Sequence, residues 1–220
     1  MSVIPASFRS RVRSGVEPIA RLFGRVGLTP NMLTLIGFAI ALVGACLAAT
    51  QAWLLGGLVV AFGAIFDLFD GALARATNRT STFGAFLDST MDRAGEAVVY
   101  IGIAVGLADV GLAGGPQVAT AAMAAAFLVS YTRARSESLG FSSGSGMANV
   151  GLAPREVRLA ILVAGLVIGG YLVEPVRQFA PPWWIVLVGS LGIITILATI
   201  TTIQRILFVY RQSKSQEVNH

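Results

Sequence analysis

The chain has 220 residues, 55% of them hydrophobic and only 12% charged, with a mean hydropathy of +0.76. A soluble domain carries about 25% charged residues, so composition places this chain in a bilayer. Its net charge is +5, which basic residues at membrane faces account for without a nucleic-acid partner; one cysteine, Cys46, and one histidine, His220, exclude a disulfide framework, a thiol metal cluster and histidine catalysis.

From Phe8 to Gly24, apolar Phe8, Val12, Ile19, Leu22 and Phe23 alternate with Arg9, Arg11, Arg13 and Arg21. The stretch is too polar to cross a bilayer and reads as an amphipathic helix lying in the interface, with a disordered basic arm as the alternative. No apolar run followed by a small-residue cleavage site marks a secretory signal. Crossing the hydrocarbon takes about 20 apolar residues, and six stretches qualify: 32–50, 54–74, 84–107, 116–132, 157–173 and 183–208. The expected fold is therefore all-α: a polytopic membrane protein of six transmembrane helices preceded by an interfacial helix. The expected organisation is an interfacial segment at 1–28, a membrane domain at 29–212 and a polar tail at 213–220.

Sorting the basic residues by the span ends they flank puts all but Arg177 on one face. Arg75, Arg79 and Arg93 surround the second connection, Arg133, Arg135, Arg155 and Arg158 the fourth, and Arg205, Arg211 and Lys214 close the chain. The bias predicts a multi-pass protein of the cytoplasmic membrane with both termini inside.

Five carboxylates sit at the cytoplasmic ends of the second and third spans: Asp67, Asp70, Asp88, Asp92 and Glu96. Asp67 and Asp70 are spaced i, i+3, and the other three follow at i, i+4, so each set lines one helix face. The short connection makes the two helices antiparallel neighbours, and the acidic faces can meet. Converging carboxylates repel in a low dielectric unless a cation joins them. Oxygen donors without His or Cys favour Mg²⁺, Mn²⁺ or Ca²⁺, and four Asp suit a two-metal centre for phosphoryl displacement. The plainer alternative is an ion network with Arg75, Arg79 and Arg93. Glu96, deeper in its span, is either part of the site or a helix-packing partner. The small residues Gly71, Ala72, Ala74, Gly84 and Ala85 permit either close approach of a nucleotide or tight helix packing.

The string Asp67-Leu-Phe-Asp70-Gly71-Ala-Leu-Ala74-Arg75, eight residues, Gly84, three residues, Asp88, three residues, Asp92 resembles the signature of the CDP-alcohol phosphotransferase family. The resemblance extends to Thr29-Pro30-Asn31 with Thr34 and to the six-span layout. It implies transfer of the phosphatidyl group of a CDP-linked lipid, usually CDP-diacylglycerol, to an acceptor hydroxyl, with release of CMP and two Mg²⁺ or Mn²⁺ ions as cofactors. By position it implies Asp67, Asp70, Asp88 and Asp92 as metal ligands, with Asp92 also the base that deprotonates the acceptor. It further implies that Gly71, Arg75 and Ser81 hold the CDP group, with Asn31, Met32, Leu33 and Thr34 contributing to that pocket.

The second half of the chain is rich in Arg at the same face: Arg133 and Arg135 end the fourth span, Arg155 and Arg158 open the fifth, and Arg205 lies near the end of the sixth. Guanidinium forks match phosphate bidentately, so the expected acceptor is a phosphorylated alcohol; membrane topology alone is the competing explanation. The pattern is similar to the phosphatidylinositol phosphate synthase branch of the family, in which Arg133, Arg155 and Arg205 would correspond to the acceptor-phosphate ligands, and Asp88-Ser89-Thr90-Met91-Asp92-Arg93 also resembles that branch. One departure is Pro154-Arg155-Glu156-Val157-Arg158, which keeps both Arg of the branch's Glu-Arg-x-Glu-Arg run and replaces both Glu. Inositol phosphate is the expected acceptor and glycerol phosphate the alternative. An ion or metal transporter is the rival class, disfavoured because every Asp of the cluster lies toward one face. Gly140 to Gly151 reads as a flexible loop, and Ala122 to Ala126 as small residues suited to a homodimer interface, which the family resemblance also implies.

Overall fold

Thr29 and Pro30 begin the first long helix. The Thr29 hydroxyl accepts a hydrogen bond from Met32 N at 3.3 Å, and Pro30 takes the first helical position, where a missing N–H leaves no bond unmade. The computed structural model describes Pro18 and residues 22–77, 80–141, 147, 150–176 and 184–217. Its long helices are α1 (Pro30–Ala49), α2 (Trp53–Ala76), α3 (Thr82–Asp109), α4 (Gly115–Ser138), α5 (Arg155–Val176) and α6 (Trp184–Glu217). Each coincides, to within a few residues at its start, with one of the six apolar stretches. Helices α4 and α6 run beyond theirs, through Arg133 and Arg135 to Ser138 and through Arg211 and Lys214 to Glu217, because an established helix is readily extended by polar residues of good propensity.

By length and composition α1, α2 and α6 can cross a membrane, over 30–49, 53–76 and 184–215. Helix α3 carries Asp88, Asp92 and Arg93 in its first half and Glu96 at its middle, α4 is rich in alanine, and α5 opens on Arg155, Glu156 and Arg158. The expected interfacial helix lies outside the described residues except for Pro18 and 22–24; so do Arg79, Arg177, His220 and most of the Gly140–Gly151 loop.

On α2, Leu55, Leu58, Phe62 and Ile65 are exposed at helical spacing, while Trp53 and Val60 on the other side are buried. On α6, Ile193, Ile196, Ile200 and Ile203 are exposed opposite buried Leu187, Leu191, Ile194 and Ala198. Helices apolar on both faces have their outer face in lipid, so this is a membrane protein. Cys46 is also exposed, on α1.

The chain divides into two compact units, Met1–Ile103 and Ala104–His220, with the boundary inside α3. In the first, α1 and α2 form an antiparallel pair joined by residues 50–52. Small residues set their distance: a Cβ on Gly56 would stand 3.1 Å from Gly44 O, and one on Gly102 of α3 only 2.2 Å from Ala45 O. Without side chains at these points the backbones touch. Leu33, Phe69, Ala72 and Leu73 form the core at the other end of the pair, with Phe23, Leu28 and Phe66 packed on it; the Phe23 and Phe69 rings meet edge to face at 5.5 Å.

In the second unit α6 packs against both α4 and α5. Ala125 and Val129 of α4 cluster with Ala198 of α6. Ala122, Ala125 and Ala126 are buried inside the chain, so these alanines serve internal packing rather than an outer surface.

Candidate active site

At the polar end of the first unit, the last turns of α2 and the first turns of α1 and α3 enclose a cleft of about 200 Å³. Pro30, Asn31 and Thr34 line it from α1, Asp70, Gly71, Ala74 and Arg75 from α2, and Thr80, Ser81, Gly84, Ala85 and Asp88 from the start of α3 and the residues before it. Ser81 caps α3, its hydroxyl oxygen accepting from Gly84 N at 2.9 Å. Two helix N-termini therefore open onto the cleft, and their dipoles favour an anion there. Small residues keep it open: a Cβ on Gly84 would stand 3.0 Å from Ser81 Oγ and 3.3 Å from Asn31 Oδ1, and one on Gly71 would stand 3.2 Å from an Arg75 guanidinium nitrogen.

The acidic residues come from α2 and α3, as their spacing predicts. Asp70 is buried and held on both carboxylate oxygens: Thr34 Oγ1 donates to Oδ2 at 2.8 Å, and Gly71 N to Oδ1 at 2.5 Å. Asp67 Oδ1 would meet a Cβ on Gly37 at 3.0 Å, so the absence of a side chain at 37 gives this carboxylate its place beside α1. Asp88 shares the cleft with Asp70. Asp92, one turn further along α3, has Oδ2 3.8 Å from Arg93 Nη1, whose stronger bond, 2.5 Å, is donated to Ser89 O. Glu96 is buried, a turn deeper.

Among the described residues no three acidic side chains are gathered tightly enough to form a finished metal site. The donor set nonetheless fits hard divalent cations: oxygen only, two of the carboxylates on one cleft, and, among the described residues, no thiolate or imidazole near them. Carboxylates of one charge turn apart until a cation draws them together.

Of the residues expected at the CDP group, Asn31, Thr34, Gly71, Arg75 and Ser81 line the cleft and Met32 and Leu33 do not. Leu33 is fully buried in the core and Met32 is exposed, since only every third or fourth position of α1 can face α2 and α3 together. The sequence does not reveal that Thr34 bonds Asp70, because the partners lie 36 residues apart.

The second unit holds the arginines. Arg133 is exposed, with Nε donating to Glu137 Oε1 at 3.0 Å. Arg155 begins α5. Arg205 is buried; its Nε donates to Val150 O at 3.0 Å and one terminal nitrogen to Val129 O. Arg158 is 1% exposed and donates to Ala153 O at 3.0 Å. Guanidinium groups at four positions that look alike in sequence thus have different surroundings, from an exposed ion pair to a buried backbone anchor.

Residues 27–173 match the family model described as CDP-alcohol phosphatidyltransferase. The chain is 40% identical to the archaetidylinositol phosphate synthase of Pyrococcus horikoshii, over 76% of this chain and 87% of that one. It is 36% identical to the phosphatidylinositol phosphate synthase of Cutibacterium acnes, over 94% and 98%. Its structure is similar to that of the Mycobacterium tuberculosis phosphatidylinositol phosphate synthase with CDP-DAG bound, at a TM-score of 0.77 and 30% identity, covering 89% of this chain and 93% of that one. The same enzyme in complex with manganese and citrate matches at a TM-score of 0.75, over 89% and 88%.

Proposed function

This chain belongs to the CDP-alcohol phosphatidyltransferase family, and on that premise we propose that it transfers the phosphatidyl group of CDP-diacylglycerol to a hydroxyl of inositol phosphate and releases CMP. The observation that carries the reading is the cleft. There two helix N-termini and Arg75 share one opening with Asp70 and Asp88, as a pyrophosphate held together with divalent cations requires.

Asn31, Thr34, Gly71, Arg75 and Ser81 hold the CDP group. Gly71 lets the pyrophosphate approach the backbone, Arg75 offers it a guanidinium fork, and Ser81, whose oxygen already accepts from Gly84 N, turns its proton outward to a phosphate oxygen. Asp67, Asp70, Asp88 and Asp92 hold two ions of Mg²⁺ or Mn²⁺, which when bound supply charge neutralisation for the leaving CMP. Thr34 fixes the Asp70 carboxylate from behind. Asp92 takes the proton of the acceptor hydroxyl as that oxygen attacks phosphorus. Arg133, Arg155 and Arg205 bind the acceptor's phosphate, Arg205 through the guanidinium edge that its bonds to Val150 O and Val129 O do not use; the inositol phosphate products in the names of the relatives support that choice.

The distribution of basic residues supports six crossings, with the termini and the cleft on the cytoplasmic side of the cell membrane. The family resemblance supports a homodimer, whose surface must come from residues other than the buried alanines of α4.

The test is purified protein with CDP-diacylglycerol and Mg²⁺, presented in turn with inositol phosphate, glycerol phosphate, free inositol and serine while CMP release is followed. Release with inositol phosphate alone is the expected result. Turnover with serine or free inositol, and none with either phosphorylated alcohol, would remove the arginine argument.

A further inference from the structure

The segment that leads into α5 has no regular structure between Val150 and Pro154, yet side chains from α5 and α6 hold its backbone closely. The Thr201 hydroxyl accepts from Leu152 N at 3.0 Å and from Ala153 N at 2.9 Å, and donates to Leu197 O at 2.8 Å. All three hydrogen-bonding capacities of one fully buried hydroxyl are used. One turn further along α6, Arg205 takes Val150 O, and Arg158 takes Ala153 O from α5. Gly151 has φ +118°, and a Cβ there would stand 2.2 Å from the Thr201 methyl, so neither the conformation nor the contact admits another residue.

Backbone polar groups buried away from water must be satisfied by neighbours, but a hydroxyl aimed at two consecutive N–H groups does more than satisfy them. It fixes where α5 starts on α6. Arg155 is the first residue of α5, and Arg205 lies on the same face of α6 as Thr201, so the Thr201 clamp sets the spacing between these two guanidinium groups. We propose that Thr201, seated against Gly151, is a positioning residue that holds Arg155 and Arg205 in register for the acceptor's phosphate. The inference rests on the acceptor reading above and adds a residue that touches neither substrate.

The experiment compares Thr201→Val, which keeps the shape and loses the hydroxyl, with Thr201→Ser, which keeps the hydroxyl. Arg155→Ala serves as the reference, all in the full chain reconstituted in lipid. The readouts are KM for acceptor, KM for donor, kcat and melting temperature. Thr201→Val should raise acceptor KM about tenfold, as the Leu152 and Ala153 N–H groups lose the partner that fixes them, with donor KM unchanged and Thr201→Ser close to the parent. Should Thr201→Val not fold, Thr201→Ala carries the same expectation. Two results overturn the proposal while the acceptor reading stands: an unchanged acceptor KM beside a raised one in Arg155→Ala, or a lowered melting temperature with both KM values moved alike. An Arg155→Ala protein with unaltered acceptor KM removes the acceptor-phosphate reading and this proposal with it.

Discussion

At the scale of single residues, each carboxylate is defined by what stands behind it. Asp92 is the proposed base, and Asp92→Asn should lower kcat by about 10²–10⁴-fold, the contribution of general base catalysis, while CDP-lipid binding, measured separately, persists; undiminished CMP release would remove Asp92 from that role. Asp70 depends on the 2.8 Å bond from Thr34. Because the group behind a metal ligand orients it, Thr34→Val should weaken Mn²⁺ binding about 10–100-fold, read from the Mn²⁺ concentration needed for half-maximal activity. The acidic string was legible from residues alone, since its i, i+3 and i, i+4 spacings operate within single helices. The Thr34 bond was not, because it joins two helices whose crossing point no local pattern encodes. The differing environments of Arg133, Arg155, Arg158 and Arg205 were hidden for the same reason: charge reads the same in sequence whether it ends on a carbonyl, as at Arg205, or on an exposed glutamate, as at Arg133.

At the scale of helices, glycines decide both how close the elements come and how open the cleft stays. Gly84→Ala introduces a Cβ 3.0 Å from Ser81 Oγ and 3.3 Å from Asn31 Oδ1. Overpacking of this kind costs about 1–3 kcal/mol, about tenfold in donor KM, although alanine alone would favour the helix by about 1 kcal/mol. Donor affinity should therefore fall without loss of thermal stability, and parallel loss of both would show that the residue only packs. Gly102→Ala is the contrasting case. Its Cβ would stand 2.2 Å from a backbone oxygen of α1 that cannot swing aside, so the melting temperature in detergent should fall, whereas Gly189→Ala, with nothing within 4 Å, should leave it unchanged. The positions of the six long helices among the described residues were legible from apolar runs of membrane length. Their outer limits were not, because Arg133 to Ser138 and Val209 to Glu217 continue as helix after the apolar signal stops.

At the scale of the molecule, ion dependence and orientation follow from the same distribution of charge. Chelation with EDTA should abolish turnover, and Mg²⁺ or Mn²⁺ should restore it; activity that survives thorough chelation would exclude the carboxylates as metal ligands. Orientation is testable with thiols placed one at a time in a Cys46→Ala background. A cysteine at Gln178, beside the single outlying Arg177, should react with an impermeant reagent on intact cells, and one at Ser213 only after the membrane is opened. The reverse pattern would invert the proposed topology. The native thiol offers a complementary measurement. Cys46 faces outward from α1 and is the only cysteine in the chain, so a nitroxide attached there to the unaltered protein would sense dissolved oxygen and a water-soluble nickel chelate in a ratio set by its depth. The protein thus carries its own depth gauge, a native reporter of where in the bilayer this point of α1 lies.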